Sequence, residues 1–299
     1  MESACRSVRR ERRGDLDVWV VDHPRAQATL TSQGAQLLDY TPTGERPVVW
    51  LSEEVAYQSG QSLRGGVPIC APWFGALERN PDGVRASFVG ASAPAHGLVR
   101  GVPWLLDEVS EDESGVCISF RLPGEHSALA GWRERMSYRV TYRIGAELEM
   151  RLALTAEAEA AHVSLALHTY LAASDVADVE VLGLEGTRYL DTLDGWRGCV
   201  DDEPVQLRGE VDRVYLGVER PTVVRDRGWG REIEVRHANA RSVILWNPHV
   251  EKTKRLSQMA PDAWRRMLCI ETATVLDDAR RVEAGETLTI GVTLTVRAA

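Results

Sequence analysis

Alternation of apolar and polar residues with a period of two dominates this sequence, and it is clearest over residues 136–155. Apolar side chains occupy every second position over 136–144 and again over 148–154, on either side of a Gly-Ala turn. Successive side chains of a β-strand point to opposite faces, so the segment predicts an antiparallel hairpin with one buried face. We expect the Arg and Glu residues of the other face to pair across this hairpin.

Similar short runs, separated by turn signals, extend through most of the chain. One of them, over 232–246, predicts a second hairpin around Ala238-Asn239-Ala240. Helical signals are limited to short turns near 127–132 and 251–259. Turns at a spacing of roughly 8–12 residues are typical of all-β proteins. The sequence therefore predicts a large antiparallel β-sandwich with few short helices, in which about 20 or more strands form two packed sheets.

Length and charge restrict the function classes. The 299 residues contain no linker-like stretch and no fixed repeat, so we predict one domain over 1–299, with the basic residues 1–14 as a flexible tail. The net charge of −9 argues against nucleic acid as a partner. With no signal-peptide core and no run of 18 apolar residues, we expect a monomeric, soluble, cytoplasmic protein without membrane contact. The five scattered cysteines favour reduced thiols.

The stretch 164–171 is the most informative for chemistry. Its alternation places Leu165, Leu167 and Leu171 on one face and His168 and Tyr170 on the other. Histidine is the side chain whose ordinary pKa lies closest to neutral, so His168 is a candidate for proton transfer in a cleft. A half-buried strand whose histidine is satisfied by a neighbour explains the same eight residues.

Two loop-like stretches contain candidate ligand-binding residues. In 64–75, two prolines and three glycines surround Arg64 and Trp73, which suit an anion and the face of a sugar. In 95–101, His96 and Arg100 flank a bend. A structural turn and a surface loop account for these stretches equally well.

Three later stretches add polar candidates. Asp212 follows Glu210 just before a predicted strand, and Trp246 ends another strand at an Asn-Pro corner. Glu271 lies within a predicted strand, where a carboxylate is seldom buried without a partner or a task. The seven histidines show no metal-ligand spacing, so we predict no metal site.

Taken together, these stretches resemble the aldose 1-epimerase (galactose mutarotase-like) superfamily and, within it, the glucose-6-phosphate 1-epimerases. The shared strings are Arg64-Gly65-Gly66-Val67-Pro68 with Pro72-Trp73-Phe74-Gly75, His96-Gly97-Leu98 with Arg100, Leu167-His168-Thr169-Tyr170 with Ser174-Asp175, Glu210-Val211-Asp212, Trp246-Asn247-Pro248 and Cys269-Ile270-Glu271. Each string is weak alone, and their order makes the set specific.

The resemblance implies a β-supersandwich and an isomerase that interconverts the anomers of a hexose 6-phosphate without a cofactor. His168 matches the general acid of the family and Glu271 its general base. Arg64 and Arg100 match positions that hold the substrate through its phosphate, and Asp212 matches a residue that binds sugar hydroxyls. His96, Trp73 and Trp246 complete the expected substrate-binding set.

Two positions depart from the family pattern. Ala95 stands where some members have a glutamine that binds substrate, and His249 stands where an aromatic residue often follows Asn-Pro. The alternatives to a hexose-phosphate mutarotase are a mutarotase of free aldoses and a non-catalytic carbohydrate-binding sandwich. A retaining glycosidase is less favoured, because that chemistry needs two carboxylates and only one strong candidate is present.

Overall fold

The structure is a computed structural model that describes residues 5–299, and strands make up most of its regular elements. The strands are β1 (Val8–Arg13), β2 (Leu16–His23), β3 (Ala26–Thr31), β4 (Leu37–Pro42), β5 (Ile69–Cys70), β6 (Leu105–Asp112), β7 (Gly115–Leu122), β8 (Met136–Gly145), β9 (Leu148–Ala156), β10 (Ala161–Val163), β11 (Leu165–Leu167), β12 (Tyr170–Ala172), β13 (Val179–Leu182), β14 (Arg188–Asp191), β15 (Arg197–Val200), β16 (Val205–Gln206), β17 (Val211–Leu216), β18 (Thr222–Asp226), β19 (Arg231–Ala238), β20 (Ser242–Asn247), β21 (Met267–Thr274), β22 (Arg280–Val282) and β23 (Thr287–Ala298).

Helices are short and few, as expected. The α-helices are α1 (Asp82–Ser87) and α2 (His249–Thr253), and single 3₁₀ turns occupy Leu77–Arg79, Ser127–Leu129, Val176–Asp178, Thr192–Asp194, Ala263–Arg266 and Leu276–Asp278. The helix α1 has no clear sequence signal, whereas α2 overlaps the predicted turn at 251–259. No helix within residues 5–299 has both the length and the apolar character needed to cross a membrane.

Two large antiparallel sheets form the sandwich, which confirms the predicted fold class. One has nine strands in the order β16-β13-β18-β19-β23-β9-β8-β7-β6. The other has eight, in the order β15-β14-β17-β20-β21-β11-β5, with β12 also paired to β21. A four-stranded sheet, β1-β2-β3-β4, is joined to the second sheet by isolated bridges that include Tyr40 to Val49 and Val49 to Leu171.

The period-two pattern separates two apolar regions on the faces of the eight-stranded sheet. Leu165, Leu167 and Leu171 belong to the main core between the sheets. Ala166 and Tyr170 belong to a second apolar cluster on the outer face. The predicted division of this stretch into two faces is confirmed, and the outer face is the one that bears His168.

The hairpin predicted over 136–155 is confirmed as β8 and β9, and its register places Arg143 opposite Glu149. The charge pairing differs from the prediction. Arg151 pairs with Glu149 on its own strand, and Arg139 pairs with Asp107 of β6. Exposed side chains on a twisted sheet reach along a strand and across two strands as readily as directly across the hairpin.

The second predicted hairpin is wrong, because β19 and β20 lie in different sheets. β19 pairs with β18 and β23, whereas β20 pairs with β17 and β21. Every residue of β20 is buried. A strand that is apolar on both faces is stabilised by a central position in its sheet, and this outweighs the local turn signal at 238–240.

The expectation of a flexible tail over residues 1–14 is also wrong for 8–13, which form β1 against β2. Residues 1–4 lie outside the described part of the chain. The strand has almost no apolar residues, so its sequence gives no period-two signal. Its arginines pair instead with acidic groups: Arg10 lies 2.8 Å from Asp17, and Arg9 lies 2.7 Å from Glu11.

Candidate active site

A cleft of about 580 Å³ lies on the outer face of the eight-stranded sheet. Alternate residues of four adjacent strands line it: Asp212 from β17, Ile244 and Trp246 from β20, Glu271 from β21 and Tyr170 from β12. Their neighbours in sequence, such as Leu245 and Ile270, point into the main core. The volume lies within the range of about 300–1,000 Å³ that is usual for small-molecule sites.

His168 and Glu271 meet on this face because of strand register. Leu167 faces Thr272 and Tyr170 faces Cys269, so His168, between them, lies opposite Glu271. The His168 N–H donates to the Pro68 carbonyl, and the ladder to β21 is interrupted at Thr169, whose N–H donates to the Leu167 carbonyl. The two side chains are 3.4 Å apart, from His168 Nε2 to Glu271 Oε1.

Each member of this pair has a buried atom with no hydrogen-bond partner among the described residues. These atoms are His168 Nδ1 and Glu271 Oε2. Buried polar atoms are nearly always hydrogen-bonded in folded proteins, so exceptions in a cleft indicate groups available to a ligand. The alternative interpretation of His168, a structural histidine whose ring nitrogens are both hydrogen-bonded to neighbouring residues, does not describe this site.

Burial determines the protonation of the pair. It lowers the pKa of His168 well below 6.5, and the nearby His96, Arg100 and Arg64 lower it further. Burial also raises the pKa of Glu271 well above 4.5, and the Asp212 carboxylate adds to this effect. The two shifts favour a neutral imidazole beside a protonated carboxyl group, and the single proton of such a pair can lie on either group.

His96 contributes a neutral imidazole from the loop over 95–101, which is bonded to the segment that follows β5. Its Nδ1 accepts a hydrogen bond from the Gly75 N–H at 3.3 Å, which leaves Nε2 as the N–H donor of the ring. Burial and the charges of Arg100 and Arg64 lower the pKa of His96 to about 3. The loop needs glycine at position 97, where φ is +81° and a Cβ would lie 2.0 Å from the Ala71 carbonyl oxygen.

Two arginines line the same cleft and are partly buried. Arg64 donates from Nη1 to the Tyr170 hydroxyl and from Nε to the Ser257 carbonyl, each at 3.3 Å. Arg100 forms no hydrogen bond to any residue in the described range, so its guanidinium is uncommitted. Guanidinium groups placed in this way are suited to bind an anion through charge-assisted hydrogen bonds.

At another part of the cleft, Lys252 of α2 bridges the carboxylate of the cleft residue Asp212 and that of the neighbouring Glu210. Its Nζ lies 3.0 Å from Glu210 and 3.4 Å from Asp212. Burial raises the pKa of Asp212, and the ammonium of Lys252 partly offsets that effect. The carboxylate of Asp212 can accept hydrogen bonds from a bound ligand, and the ring of Trp246 lies 5.8 Å from the lysine Nζ.

Two positive charges of the cleft have no acidic partner, although the chain carries −9. Lys252 is shared between Glu210 and Asp212 and leaves no excess positive charge at its end of the cleft. The guanidinium groups of Arg64 and Arg100 belong to no ion pair among the described residues, and a ligand with two negative charges would balance them.

The prediction that Trp73 contacts substrate is wrong. Its side chain is fully buried, and its ring stacks on Trp132 at 5.6 Å in the main core. Phe74 lines the cleft instead. Successive residues of an extended segment point to opposite sides, and the large indole occupies the inner side, where its Nε1 donates to the Pro94 carbonyl.

The two positions that depart from the family pattern lie in different places. Ala95 lines the cleft, so the absence of a glutamine there is a real change in the site. Gln61 and His96 are polar groups that line the same cleft. His249 lies elsewhere, with its ring 4.2 Å from that of Trp264, in a separate cavity.

Among the described residues, His168, Cys269 and Glu271 form the one group of three potential metal ligands within 4.8 Å of one another. Thiols bind metal ions as thiolates. Burial and the Glu271 charge raise the pKa of Cys269 well above 9, which disfavours the thiolate. The donor set therefore fits proton transfer better than metal binding.

Tyr170 and Lys252 are two of the cleft residues that were not among the sequence candidates. Tyr170 has a sequence signal, since it shares the face of His168, but it also resembles an ordinary half-buried strand residue. Lys252 follows the Asn-Pro corner after β20 and reaches the cleft through its contact with Asp212 at the start of β17. No pattern in the sequence indicates that return.

Comparisons with known proteins agree with this geometry. The family model described as aldose 1-epimerase matches residues 17–295. A Salmonella typhimurium protein and an Escherichia coli protein, both named "Putative glucose-6-phosphate 1-epimerase", are 36% and 34% identical to the chain. The matches cover 86% and 88% of this chain, and 83% and 85% of those proteins. A solved Salmonella typhimurium structure, described as a "putative mutarotase (YeaD)", superposes with a TM-score of 0.90 at 30% identity, covering 100% of this chain and 96% of that one.

Proposed function

The chain belongs to the aldose 1-epimerase family, and we propose that its substrate is a hexose 6-phosphate, whose α and β anomers it interconverts. The observation that carries this proposal is the cleft itself. The acid–base pair of His168 and Glu271 and the uncompensated guanidinium groups of Arg64 and Arg100 line one hollow. A phosphate monoester supplies the negative charge that the arginines would balance, and its sugar ring supplies the proton-transfer chemistry.

Ring opening needs one proton removed and one proton supplied. Glu271, as carboxylate, takes the proton of the anomeric hydroxyl, while the C1–O5 bond breaks and His168, as imidazolium, protonates the ring oxygen. The product is an open-chain aldehyde, and no oxidant or leaving molecule is involved. Each such transfer by a positioned group typically contributes about 10² to 10⁴ in rate.

Reclosure reverses these transfers on the other face of the aldehyde. After rotation about C1–C2, His168 removes the proton from the O5 hydroxyl, O5 attacks C1, and Glu271 returns a proton to the anomeric oxygen. The pair then holds the same single proton as at the start. During these steps His96 Nε2 is placed to donate a hydrogen bond to a sugar hydroxyl, and the Asp212 carboxylate is placed to accept one.

The phosphate also favours the reactive form of the pair. In the free cleft, burial and the charges of Arg64 and Arg100 lower the pKa of His168. A phosphate dianion bound to these arginines offsets their charges, so the pKa of His168 rises and the imidazolium–carboxylate form gains population. The phosphate group that anchors the sugar thus also favours the protonated form of His168.

A side-by-side polarimetric assay on glucose 6-phosphate and glucose tests the proposed function. We expect acceleration of both sugars, with kcat/KM higher for the phosphorylated one. Equal or higher kcat/KM on glucose would make the protein a mutarotase of free aldoses. Binding without acceleration of either sugar would make it a carbohydrate-binding sandwich.

Removing either arginine is expected to affect the phosphorylated sugar selectively. A hydrogen bond to a charged group is worth about 1.5–3 kcal/mol, so Arg64→Ala and Arg100→Ala should each reduce kcat/KM for glucose 6-phosphate by about 10- to 100-fold. The rate on glucose should change much less. Arg220→Ala, which removes a surface arginine bonded to the Glu185 carbonyl, is the matched control and should leave both rates unchanged. Equal losses on both sugars would contradict an anion clamp.

The pH dependence of the rate follows from the two pKa shifts. The pair gains a second proton only below the lowered pKa of His168 and loses its one proton only above the raised pKa of Glu271. On glucose, whose own groups do not titrate here, the acid limb of kcat/KM should lie below pH 6.5. A decrease centred at the pKa of about 6.5 of a free imidazole would contradict the burial of the acid.

A further inference from the structure

Tyr170 lies between the two functional parts of the cleft and is almost fully buried. Its ring stacks on the imidazole of His168, with centroids 4.8 Å apart and an interplanar angle of 8°. Trp50 also stacks on Tyr170 at 5.9 Å, and Trp246 packs edge-on at 6.1 Å. The phenol is thus held by other aromatic rings, and it covers one face of the imidazole.

The hydroxyl of the same residue contacts the anion-binding end. It accepts a hydrogen bond from Arg64 Nη1 at 3.3 Å. Burial raises the pKa of Tyr170, so the phenol stays neutral and its oxygen remains an acceptor for the guanidinium. The Nε of Arg64 is fixed separately by the Ser257 carbonyl, and the remaining N–H groups of the guanidinium are left for a ligand.

We propose that Tyr170 is a positioning residue that fixes the guanidinium of Arg64 and the imidazole of His168 relative to each other. This inference rests on the proposed function, in which His168 is the general acid that the Tyr170 ring holds and Arg64 is the phosphate ligand that the Tyr170 hydroxyl holds. Only a few single bonds join the phosphate to the ring oxygen in a hexose 6-phosphate, so their separation is confined to a short range, and a rigid link between the two protein groups aligns both ends of the substrate together.

Two substitutions test the contact with Arg64 and the contact with His168 separately. Tyr170→Phe keeps the stacked ring and removes the hydroxyl that holds Arg64, so KM for glucose 6-phosphate should rise about five- to tenfold with kcat nearly unchanged. The Ki of inorganic phosphate against glucose mutarotation should rise by a similar factor, and kinetics on glucose alone should change much less. Tyr170→Leu removes the ring, so kcat should decrease about tenfold or more on both sugars.

Tyr170→Leu should also change the pH profile on glucose. Water that reaches the uncovered imidazole restores its hydration, so the pKa of His168 should rise and the acid limb should move to higher pH. Tyr142→Phe is the matched control, since its buried hydroxyl donates to the Ala35 carbonyl at 2.6 Å in the main core. It should lower the melting temperature and leave KM, kcat and the pH profile unchanged.

Equal changes on both sugars in Tyr170→Phe, or an unchanged Ki for phosphate, would overturn the proposed link to Arg64. A kcat within twofold of the unsubstituted protein in Tyr170→Leu would overturn the link to His168. The proposed function fails independently of these outcomes, if the unsubstituted protein does not favour the phosphorylated sugar.

Discussion

Glu271→Gln is expected to reduce kcat for glucose 6-phosphate mutarotation by at least about a hundredfold, with little change in KM. The amide has the shape of the carboxyl group and still forms hydrogen bonds to the anomeric hydroxyl, but it cannot take up the proton. The initial optical rotation of a freshly dissolved single anomer, followed at several protein concentrations, gives the enzymatic rate above the spontaneous one.

The fold should survive this substitution, because a buried carboxyl group is replaced by a neutral group of similar size. The melting temperature is therefore expected to stay the same or rise. Glu210→Gln is the matched control: its carboxylate contacts Lys252 at 3.0 Å and does not line the cleft. A Glu271→Gln protein with more than a tenth of the normal kcat would exclude Glu271 as the base.

His168→Ala is expected to have an effect of the same size, with kcat reduced at least about a hundredfold. The ring oxygen then loses its proton donor, and the sugar must open as an alkoxide in a buried site. The substitution leaves a space that imidazole from solution can enter, beside the stacked ring of Tyr170. Added imidazole should therefore restore part of the lost rate on glucose.

A response to imidazole distinguishes the loss of a catalytic group from a folding defect. A folding defect would respond to temperature or osmolytes and not to imidazole, and it would appear in the melting curve. His162→Ala, which removes a histidine of β10 outside the cleft, is the control and should need no rescue. Near-normal activity of His168→Ala without added imidazole would exclude His168 as the acid.

The sequence predicted the site best where period-two alternation operates. Because Leu165 and Leu167 point inward, alternation assigns His168 to the outer face of the sheet. Alternation along β21 places Glu271 on the same outer face. Only the register of β12 and β21 brings the two together, and register depends on long-range pairing that local patterns do not encode.

Where the sequence was misleading, tertiary packing outweighed a local signal. Trp73 and Phe74 are adjacent aromatic residues, and nothing in their composition decides which of them faces the cleft. The hairpin expected around Asn239 has a good turn and alternating flanks, but the burial of both faces of β20 places it in the other sheet. The strand β1 has arginines in place of an apolar face, so periodicity could not reveal it.

The central claim, that one cleft holds both the phosphate and the reacting carbon of a hexose 6-phosphate, is tested most directly by a crystal structure with glucose 6-phosphate. Substrate and product are anomers at equilibrium, so the unsubstituted protein can be used. We predict the phosphate at Arg64 and Arg100, the anomeric hydroxyl within hydrogen-bond distance of Glu271 and the ring oxygen within that distance of His168. A sugar bound with its anomeric carbon away from His168 and Glu271, or a phosphate that contacts neither arginine, would contradict the account.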